Sequence, residues 1–238
     1  MGNKQHGRRD KKVRDYQAEQ EIMPDYSPPS SKMRPVAALN EAQGQYMALI
    51  NANIITFGLG PAGTGKTYLA AAMACEALQA RKIHQIIITR PAVAADEDLG
   101  ALPGEIGEKF APYFAPVADV LYERLGKSHT EGMMKTGRII IQPLAYMRGK
   151  SYKDAWIILD EAQNTSPKQM KMFLTRIGDG CKAIVNGDLK QQDRPGESGL
   201  RDATSRLKGV VGISTVEFTK EDIVRSGIVR AIIDRYET

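Results

Sequence analysis

The sequence predicts an α/β fold in which a mostly parallel sheet lies between two layers of helices. Short apolar runs rich in β-branched residues recur along the chain, and stretches with helical patterns separate them. The runs are continuous rather than alternating, which is typical of strands that are buried on both faces. Strands and helices that follow one another in this way build parallel sheets covered by helices on both sides.

Six apolar runs predict the strands of this sheet. The first, NIITF, precedes a glycine-rich loop, and the fourth, AWIILD, ends beside an acidic pair. The predicted strands are 53–57, 85–89, 138–142, 155–160, 182–186 and 213–218. Helical patterns between and after these runs predict helices near 66–80, 166–177, 198–207 and 221–236.

Two segments depart from this alternation. The interval 91–137 contains several prolines, and we expect it to be an insertion of short helices, which at this length is often functional. Residues 1–35 are polar, basic and rich in proline and serine, so they bury too little surface to offset the entropy of ordering the backbone. We therefore expect a flexible arm, either a solubilising tail or a contact for nucleic acid or a partner, ahead of a domain at 36–238.

Composition narrows the class of protein. A formal net charge of +5 permits a polyanionic partner without requiring one. No apolar run approaches the ~20 residues that span a bilayer, and the first residues lack the apolar stretch of a secretory signal. Cys75 and Cys181 lie far apart in apolar segments and are expected to be reduced. These features predict a cytoplasmic protein without a membrane span.

The loop GPAGTGKT matches the pattern G-x-x-x-x-G-K-[ST] and joins the first predicted strand to the first predicted helix. Its glycines let the backbone turn tightly and direct N–H groups toward phosphate oxygens, to which the helix N-terminus adds its dipole. We expect Lys66 to reach the β- and γ-phosphates and the Thr67 hydroxyl to ligate Mg²⁺. The alternative is a glycine-rich turn that holds no ligand. The predicted nucleotide-binding residues are Gly60, Pro61, Ala62, Gly63, Thr64, Gly65, Lys66 and Thr67.

Two further strand ends carry groups suited to hydrolysis. Asp160 is the last residue of the fourth run, and Glu161 follows it. Ligands of open parallel sheets bind outside the carboxyl ends of the strands. Asp160 is expected to hold Mg²⁺, and Glu161 to polarise the attacking water. Gln191, in the loop after the fifth run, would sense the γ-phosphate or orient that water. The alternative is that these are solvated polar residues at strand exits.

Eight short motifs follow one another between residues 35 and 238. They read GPAGTGKT, TRPAV, LGALPGE, YMRGKS, ILDEAQNTSPKQMKMFLTRIG, GDLKQQD, SGL and DIVR. Together they resemble the PhoH family of phosphate-starvation-associated P-loop ATPases, which is similar to the first RecA-like domain of superfamily-one helicases. The resemblance implies a three-layer P-loop NTPase with a RecA-like sheet.

The resemblance also implies roles outside the loop. LNEAQ looks like the helicase element that reads adenine, so Gln43 would pair with the base of ATP, although it equally suits an exposed helix position. Arg90 lies in a segment that matches the place where such helicases contact the nucleic-acid backbone, and Arg148 lies in another basic loop at a comparable strand boundary. Each equally suits an ion pair with acids in the insertion. The family often has His-Pro after this arginine, whereas Arg225 is followed by Ser-Gly here. Any role of the family's histidine is therefore in doubt for this chain.

Superfamily-one helicases complete the ATP site with arginines from a second RecA-like domain. The sequence predicts a single sheet, so we expect a neighbouring subunit to supply the arginine. The expected assembly is a homo-oligomeric ring, with the hexamer as the favoured size. Arg225 and Arg176 are the candidates, and an arginine finger is worth ~10³–10⁵ in rate. Basic loops in the channel would hold single-stranded RNA or DNA through its backbone charge.

Two functions stay open at this point. The first is a Mg²⁺-dependent ATPase that remodels or translocates on single-stranded nucleic acid, with RNA favoured over DNA by the resemblance alone. The second is a nucleotide-regulated assembly module that recruits an RNA-processing partner and uses slow ATP hydrolysis as a timer. A small-molecule kinase is disfavoured, because DEAQ followed by a downstream glutamine suits a water nucleophile better than an acceptor substrate.

Overall fold

Six parallel strands form the centre of the fold. The computed structural model describes residues 34–91, 106–224 and 235, and for 106–113 it describes the backbone alone. The strands are β1 (Ile55–Leu59), β2 (Gln85–Arg90), β3 (Ile139–Pro143), β4 (Ala155–Leu159), β5 (Lys182–Gly187) and β6 (Ile213–Glu217). They lie in the order β3-β2-β4-β5-β1-β6, and each neighbouring pair is parallel. The predicted α/β fold class is confirmed.

Helices connect the strands and cover the sheet. The described α-helices are α1 (Glu41–Ala52), α2 (Lys66–Gln79), α3 (Ile106–Leu125), α4 (Lys127–Lys135), α5 (Pro167–Leu174) and α6 (Gly199–Arg206). Short 3₁₀ helices lie at Leu144–Met147, Ala162–Asn164 and Lys220–Asp222. All residues of β4 are buried, and because successive side chains point to opposite faces, both faces of the sheet are covered. Among the described helices, none combines the length and apolarity needed to cross a bilayer.

The core on one face of the sheet lies beneath α5 and α6. Met170 and Phe173 of α5 and Leu200 of α6 belong to one buried cluster with Ile157 of β4 and Val185 of β5. Each fully buried side chain of this size contributes ~1.5–3 kcal/mol through the surface it removes from water. The cluster therefore fixes α5 and α6 to the strands whose ends carry the acidic pair.

The six predicted strands are all present, with ends shifted by up to two residues. β1 begins at Ile55 rather than at residue 53, because Asn53 is the C-cap of α1. Helix α1 is missing from the sequence-based predictions. Its signal was present nonetheless, since Gln43, Tyr46 and Ile50 form a buried stripe at helical spacing.

The predicted insertion of short helices contains one long helix. α3 spans 20 residues and runs through two prolines. Phe114, Val117 and Leu121 are buried along one face of α3, and this packing outweighs the backbone hydrogen bond that a proline removes. The 9-residue α4 does match the prediction of a short helix. Residues 92–105 lie outside the described residues.

The predicted helix at 221–236 differs at its start. Lys220–Asp222 form a 3₁₀ turn, and Ile223 after it is extended. Asp222 accepts hydrogen bonds from the backbone N–H of Thr219 at 2.8 Å and from its hydroxyl at 3.0 Å, which closes the turn on itself. Residues 225–234, which include Arg225, lie outside the described residues.

The strand order places three strand ends side by side. β5 pairs with β1 on one side and with β4 on the other. The glycine-rich loop follows β1, Asp160 follows β4, and Asp188 follows β5. Parallel strands end at the same edge of a sheet, so residues from three separate stretches of sequence meet there.

Candidate nucleotide-binding site

The glycine-rich loop between β1 and α2 requires glycine at two bends. Gly65 caps α2 with a φ of 86°, and a Cβ at this position would lie 2.7 Å from Nε2 of Gln43. Gly60 has a φ of 135°, and a Cβ there would lie 2.3 Å from the carbonyl oxygen of Phe218. Larger residues neither adopt these angles readily nor fit the space. The loop therefore brings its backbone and the N-terminus of α2 to one cavity.

Lys66 lies inside the loop with its ammonium group against the backbone. Nζ donates to the carbonyl oxygens of Gly60 and Pro61, each at 2.7 Å, and to Oγ1 of Thr64 at 3.1 Å. Burial lowers the pKa of Lys66, and the negative charge of nearby acids, Asp188 first, acts in the opposite direction. Carbonyl oxygens of the loop thus hold the ammonium group at the cavity, and phosphate oxygens of a ligand can replace them.

Thr67 and Asp160 meet beside the loop. The Thr67 hydroxyl donates to Oδ1 of Asp160 at 2.8 Å. Asp160 is 3% exposed, so its carboxylate depends on such partners. A hydroxyl and a carboxylate are hard oxygen donors, the kind that Mg²⁺ takes together with water and phosphate oxygens. This donor set therefore fits a magnesium ion.

Arg90, at the end of β2, binds the same carboxylate. Its Nε and Nη2 both donate to Oδ2 of Asp160, Nε at 3.0 Å. The two side chains are 16% and 5% exposed. The sequence predicts a nucleic-acid contact here or an ion pair with acids of the insertion, and among the described residues Arg90 pairs with Asp160, the predicted magnesium ligand. A contact of Arg90 with nucleic acid stays a prediction.

Glu161 stands in an unusual backbone conformation next to Asp160. Its φ of 54° and ψ of 39° lie in the left-handed region, which residues other than glycine seldom adopt. Such conformations persist where the surrounding structure holds them, often at functional sites. Glu161 lines the cavity with its side chain exposed to solvent.

Gln163 joins the ends of β4 and β5. Its Nε2 donates to Oε2 of Glu161 at 2.6 Å, and its Oε1 accepts the backbone N–H of Asp188 at 3.1 Å. Gln163 is 2% exposed, so its amide is held in one orientation. Gln163 is absent from the predicted site residues, although its place in the motif DEAQN was an available signal. Only the sheet order brings Asp188 beside it.

An open cavity of about 230 Å³ unites these groups. Gln191 reaches it from the loop after β5, where its backbone N–H donates to the carbonyl oxygen of Asp188 at 3.3 Å. The cavity is also lined by four residues that are not among the predicted site residues, namely Tyr68, Gln163, Gly187 and Asp188. The predicted residues that line the cavity are Gly60, Ala62, Gly63, Gly65, Lys66, Thr67, Asp160, Glu161 and Gln191.

Gln43 is buried beneath the loop. Its Oε1 accepts the backbone N–H of Leu39 at 2.8 Å, and its Nε2 donates to the carbonyl oxygen of Thr64 at 3.0 Å. At 2% exposed it is not a surface residue of α1. The amide ties α1 to the phosphate-binding loop, and its contact with adenine stays a prediction.

Arg148 and Arg176 lie away from this cavity. Both line a second cavity of about 430 Å³ beside α5. Nη1 of Arg176 donates to the carbonyl oxygen of Lys150 at 3.1 Å. Within its own chain, therefore, Arg176 is not part of the nucleotide cavity. Arg225, the other candidate finger, lies outside the described residues.

Comparison with known proteins finds relatives over most of the chain. Residues 35–237 match the family of PhoH-like proteins. A PhoH-like protein of Bacillus subtilis (strain 168) is 50% identical over 210 residues, which are 87% of this chain and 66% of that protein. Protein PhoH of Escherichia coli (strain K12) is 48% identical over 206 residues, which are 85% of this chain and 58% of that protein. The chain thus spans less than two thirds of the length of each of these relatives.

Solved structures match at much lower identity. The crystal structure of the UvsW helicase from bacteriophage T4 shares 11% identity with this chain, with a TM-score of 0.49. The match covers 87% of this chain and 67% of that chain. No residue role is transferred from a likeness of this size.

Proposed function

Since the chain belongs to the PhoH family, we propose that it is an Mg²⁺-dependent ATPase that remodels or translocates on single-stranded nucleic acid. The cavity at the ends of β1, β4 and β5 carries this proposal, because it brings a phosphate-binding loop to an acidic pair. The family resemblance favours RNA over DNA as the nucleic acid, and the two free, buried cysteines favour the cytoplasm as the place of action.

The loop supplies what a triphosphate requires. Backbone N–H groups and the N-terminus of α2 attract phosphate oxygens, and Lys66 exchanges its carbonyl contacts for the β- and γ-phosphates. Thr67 and Asp160 would hold Mg²⁺, which would offset negative charge on the β- and γ-phosphates. The binding half of the site therefore comes from one loop and the end of one strand.

Glu161 is the group that acts on water. Its carboxylate takes a proton from the water whose oxygen bonds to the γ-phosphorus, while the bond from that phosphorus to the β–γ bridging oxygen breaks. Gln191 orients the water, and Lys66 offsets the negative charge that grows on the transferred group. Gln163 holds the Glu161 carboxylate at 2.6 Å and so limits where it points.

Hydrolysis of ATP by the purified chain tests this proposal. We expect Lys66→Ala to lose both ATP binding and hydrolysis, and Glu161→Gln to bind ATP while hydrolysing it about 10²-fold or more slowly. Lys82→Ala, which removes an exposed lysine outside the cavity, is the control and keeps the wild-type rate. Wild-type protein that does not hydrolyse ATP, or a Glu161→Gln variant at full rate, would overturn the proposal.

Single-stranded RNA in the same assay separates the two functions that the sequence leaves open. A rate that rises with RNA supports remodelling or translocation. A low rate that is indifferent to both RNA and DNA contradicts it and favours a nucleotide-regulated assembly module. That module is tested by capture of an RNA-processing partner with ATP bound but not with ADP.

We further propose that a ring of identical subunits completes the site, with the hexamer as the favoured size. Arg176 lies outside the cavity of its own chain, which suits a role toward a neighbour, and Arg225 is the second candidate. Mixing inactive Lys66→Ala protein with inactive Arg225→Ala protein restores activity if each site takes groups from two subunits. The mixture stays inactive if the site belongs to one chain.

A further inference from the structure

A second concave surface of the molecule carries only positive charge. We call it the basic groove. It has a volume of about 430 Å³, and its described lining contains no carboxylate. The lining residues are Arg148, Gly149, Lys168, Lys171, Met172, Thr175 and Arg176.

Packing beneath the groove fixes where its cations stand. Helix α5 buries Met170 and Phe173 against the sheet, and its opposite side exposes Lys168 and Lys171, which are one helical turn apart. The other wall follows β3, where the buried Met147 anchors a 3₁₀ helix. The groove thus lies between helix α5 and the turn at Arg148 and Gly149 that follows this 3₁₀ helix.

The cations of the groove lack negative partners within the described structure. The side chains of Arg148, Lys168 and Lys171 are exposed and make no hydrogen bond or ion pair with any residue that the structure describes. Arg176 has no carboxylate partner among the described residues either, but it donates to the carbonyl oxygens of Met172 at 3.2 Å and Lys150 at 3.1 Å and to Oγ1 of Thr175 at 3.2 Å. Like charges held together raise the free energy of the empty groove, and a polyanion relieves that repulsion.

An exposed aromatic residue precedes one of these cations in the chain. Tyr146 lies in the 3₁₀ helix Leu144–Met147, two residues before Arg148, and is 45% exposed. An exposed tyrosine ring is available to stack on a base, as aromatic side chains do in proteins that bind single-stranded nucleic acid. An acidic peptide matches the charge of the groove but gives the ring no flat partner.

We propose that the basic groove binds the sugar-phosphate backbone of a single-stranded nucleic acid and that Tyr146 stacks on one of its bases. This proposal rests on the proposed function only in taking a single-stranded nucleic acid as the partner. Lys168, Lys171 and Arg148 contact phosphates, and Tyr146 contributes affinity that does not depend on salt. Helix α5 follows the acidic pair in the chain, with the 3₁₀ helix Ala162–Asn164 between them. The bound nucleic acid would therefore lie along the helix that comes next after the hydrolytic carboxylate.

Binding of a fluorescein-labelled oligouridylate of about twenty nucleotides, measured by anisotropy over a range of sodium chloride, tests the proposal. Each phosphate contact on a single strand contributes about 0.7 to the slope of log affinity against log salt. We therefore expect the full chain with Lys168→Ala and Lys171→Ala to lose about 1.4 from that slope, and Arg148→Ala about 0.7. Tyr146→Ala should weaken binding by about 5- to 150-fold and leave the slope unchanged.

The matched control removes two exposed lysines from turns elsewhere, with Lys82→Ala and Lys208→Ala in one protein. This control should keep the wild-type slope and affinity. The proposal is overturned if the control changes the slope as much as the groove variants do, if wild-type protein does not bind the oligonucleotide, or if only poly-glutamate binding responds to the groove variants. Binding is measured without ATP, so it does not depend on hydrolysis. If the wild-type protein binds RNA through the groove but does not hydrolyse ATP, the proposed ATPase activity is refuted and the proposed groove is not.

Discussion

Asp160 shows how much one side chain decides in this site. Its two oxygens accept from different elements, Oδ1 from the Thr67 hydroxyl at 2.8 Å and Oδ2 from Nε of Arg90 at 3.0 Å. A buried carboxylate without partners costs several kcal/mol, so the guanidinium stabilises it in the absence of a cation. If Asp160 holds Mg²⁺ as proposed, the same guanidinium occupies the carboxylate that the ion needs. We therefore expect Arg90 and the metal ion to compete for Asp160.

We expect Arg90→Gln to lower the Mg²⁺ concentration that gives half-maximal ATP hydrolysis by about tenfold, which corresponds to ~1.4 kcal/mol. The physical reason is that the substitution removes the cation that competes for Oδ2. A titration with magnesium chloride at saturating ATP measures the effect.

Arg206→Gln is the matched control for this change. It breaks an ion pair between Arg206 and Asp202 in which the arginine side chain is 75% exposed, and such pairs contribute little. The control should leave the magnesium requirement unchanged. A higher requirement in Arg90→Gln would show that the guanidinium positions Asp160 for the metal instead of competing with it.

At the scale of elements, the starts of α5 and α6 touch through their backbones. The backbone N–H of Gly199, the first residue of α6, donates to the carbonyl oxygen of Thr165 at 2.7 Å. A Cβ at Gly199 would lie 2.4 Å from the carbonyl oxygen of Ser166, which is the N-cap of α5. This contact holds together the two helices that cover the core behind the acidic pair.

We expect Gly199→Ala to lower the free energy of unfolding by about 1–3 kcal/mol, because a methyl group cannot enter without moving the backbone of α5. Gly132→Ala in α4 is the matched control, since no atom lies within 4 Å of a Cβ built there. That control should raise stability by up to ~1 kcal/mol through helix propensity. Unfolding in urea measures both, and equal effects of the two substitutions would contradict the role of the contact.

At the scale of the whole molecule, the two cysteines of the chain lie in different layers. Cys75 in α2 is fully buried, and Cys181 before β5 is 6% exposed and belongs to the core beneath α5 and α6. Burial raises the pKa of Cys75 to about 12, so almost none of its thiol is ionised near neutral pH. Each thiol therefore reports on the opening of its own side of the sheet.

We expect a thiol reagent such as Ellman's reagent to react slowly with the native chain at mildly alkaline pH and rapidly with both cysteines in denaturant. The slow rate follows from the free energy of opening the fold. Addition of ATP with Mg²⁺ should slow the reaction further, because a ligand that binds only the folded chain stabilises it. Rapid reaction of one thiol in the native chain would show that its layer opens locally.

Much of the fold and of the candidate site is predictable from local sequence. Unbroken apolar runs predict the six strands because burial on both faces leaves no room for polar alternation. The spacing of glycine, Lys66 and Thr67 predicts a phosphate-binding loop, since the backbone geometry depends on a few consecutive residues. Helix α1 carries a local signal as well, in its buried stripe of Gln43, Tyr46 and Ile50, which the analysis of the sequence overlooks.

By itself, then, the sequence determined the parallel α/β sheet, the phosphate-binding loop and the acidic residues at the end of β4. Only the tertiary structure decided which distant groups meet: Arg90 with Asp160, 70 positions apart, Gln163 with the N–H of Asp188, 25 positions apart, and the two walls of the basic groove. Strand order and the packing of helices on the sheet set these contacts. They result from the burial of whole faces, which no short pattern of residues specifies.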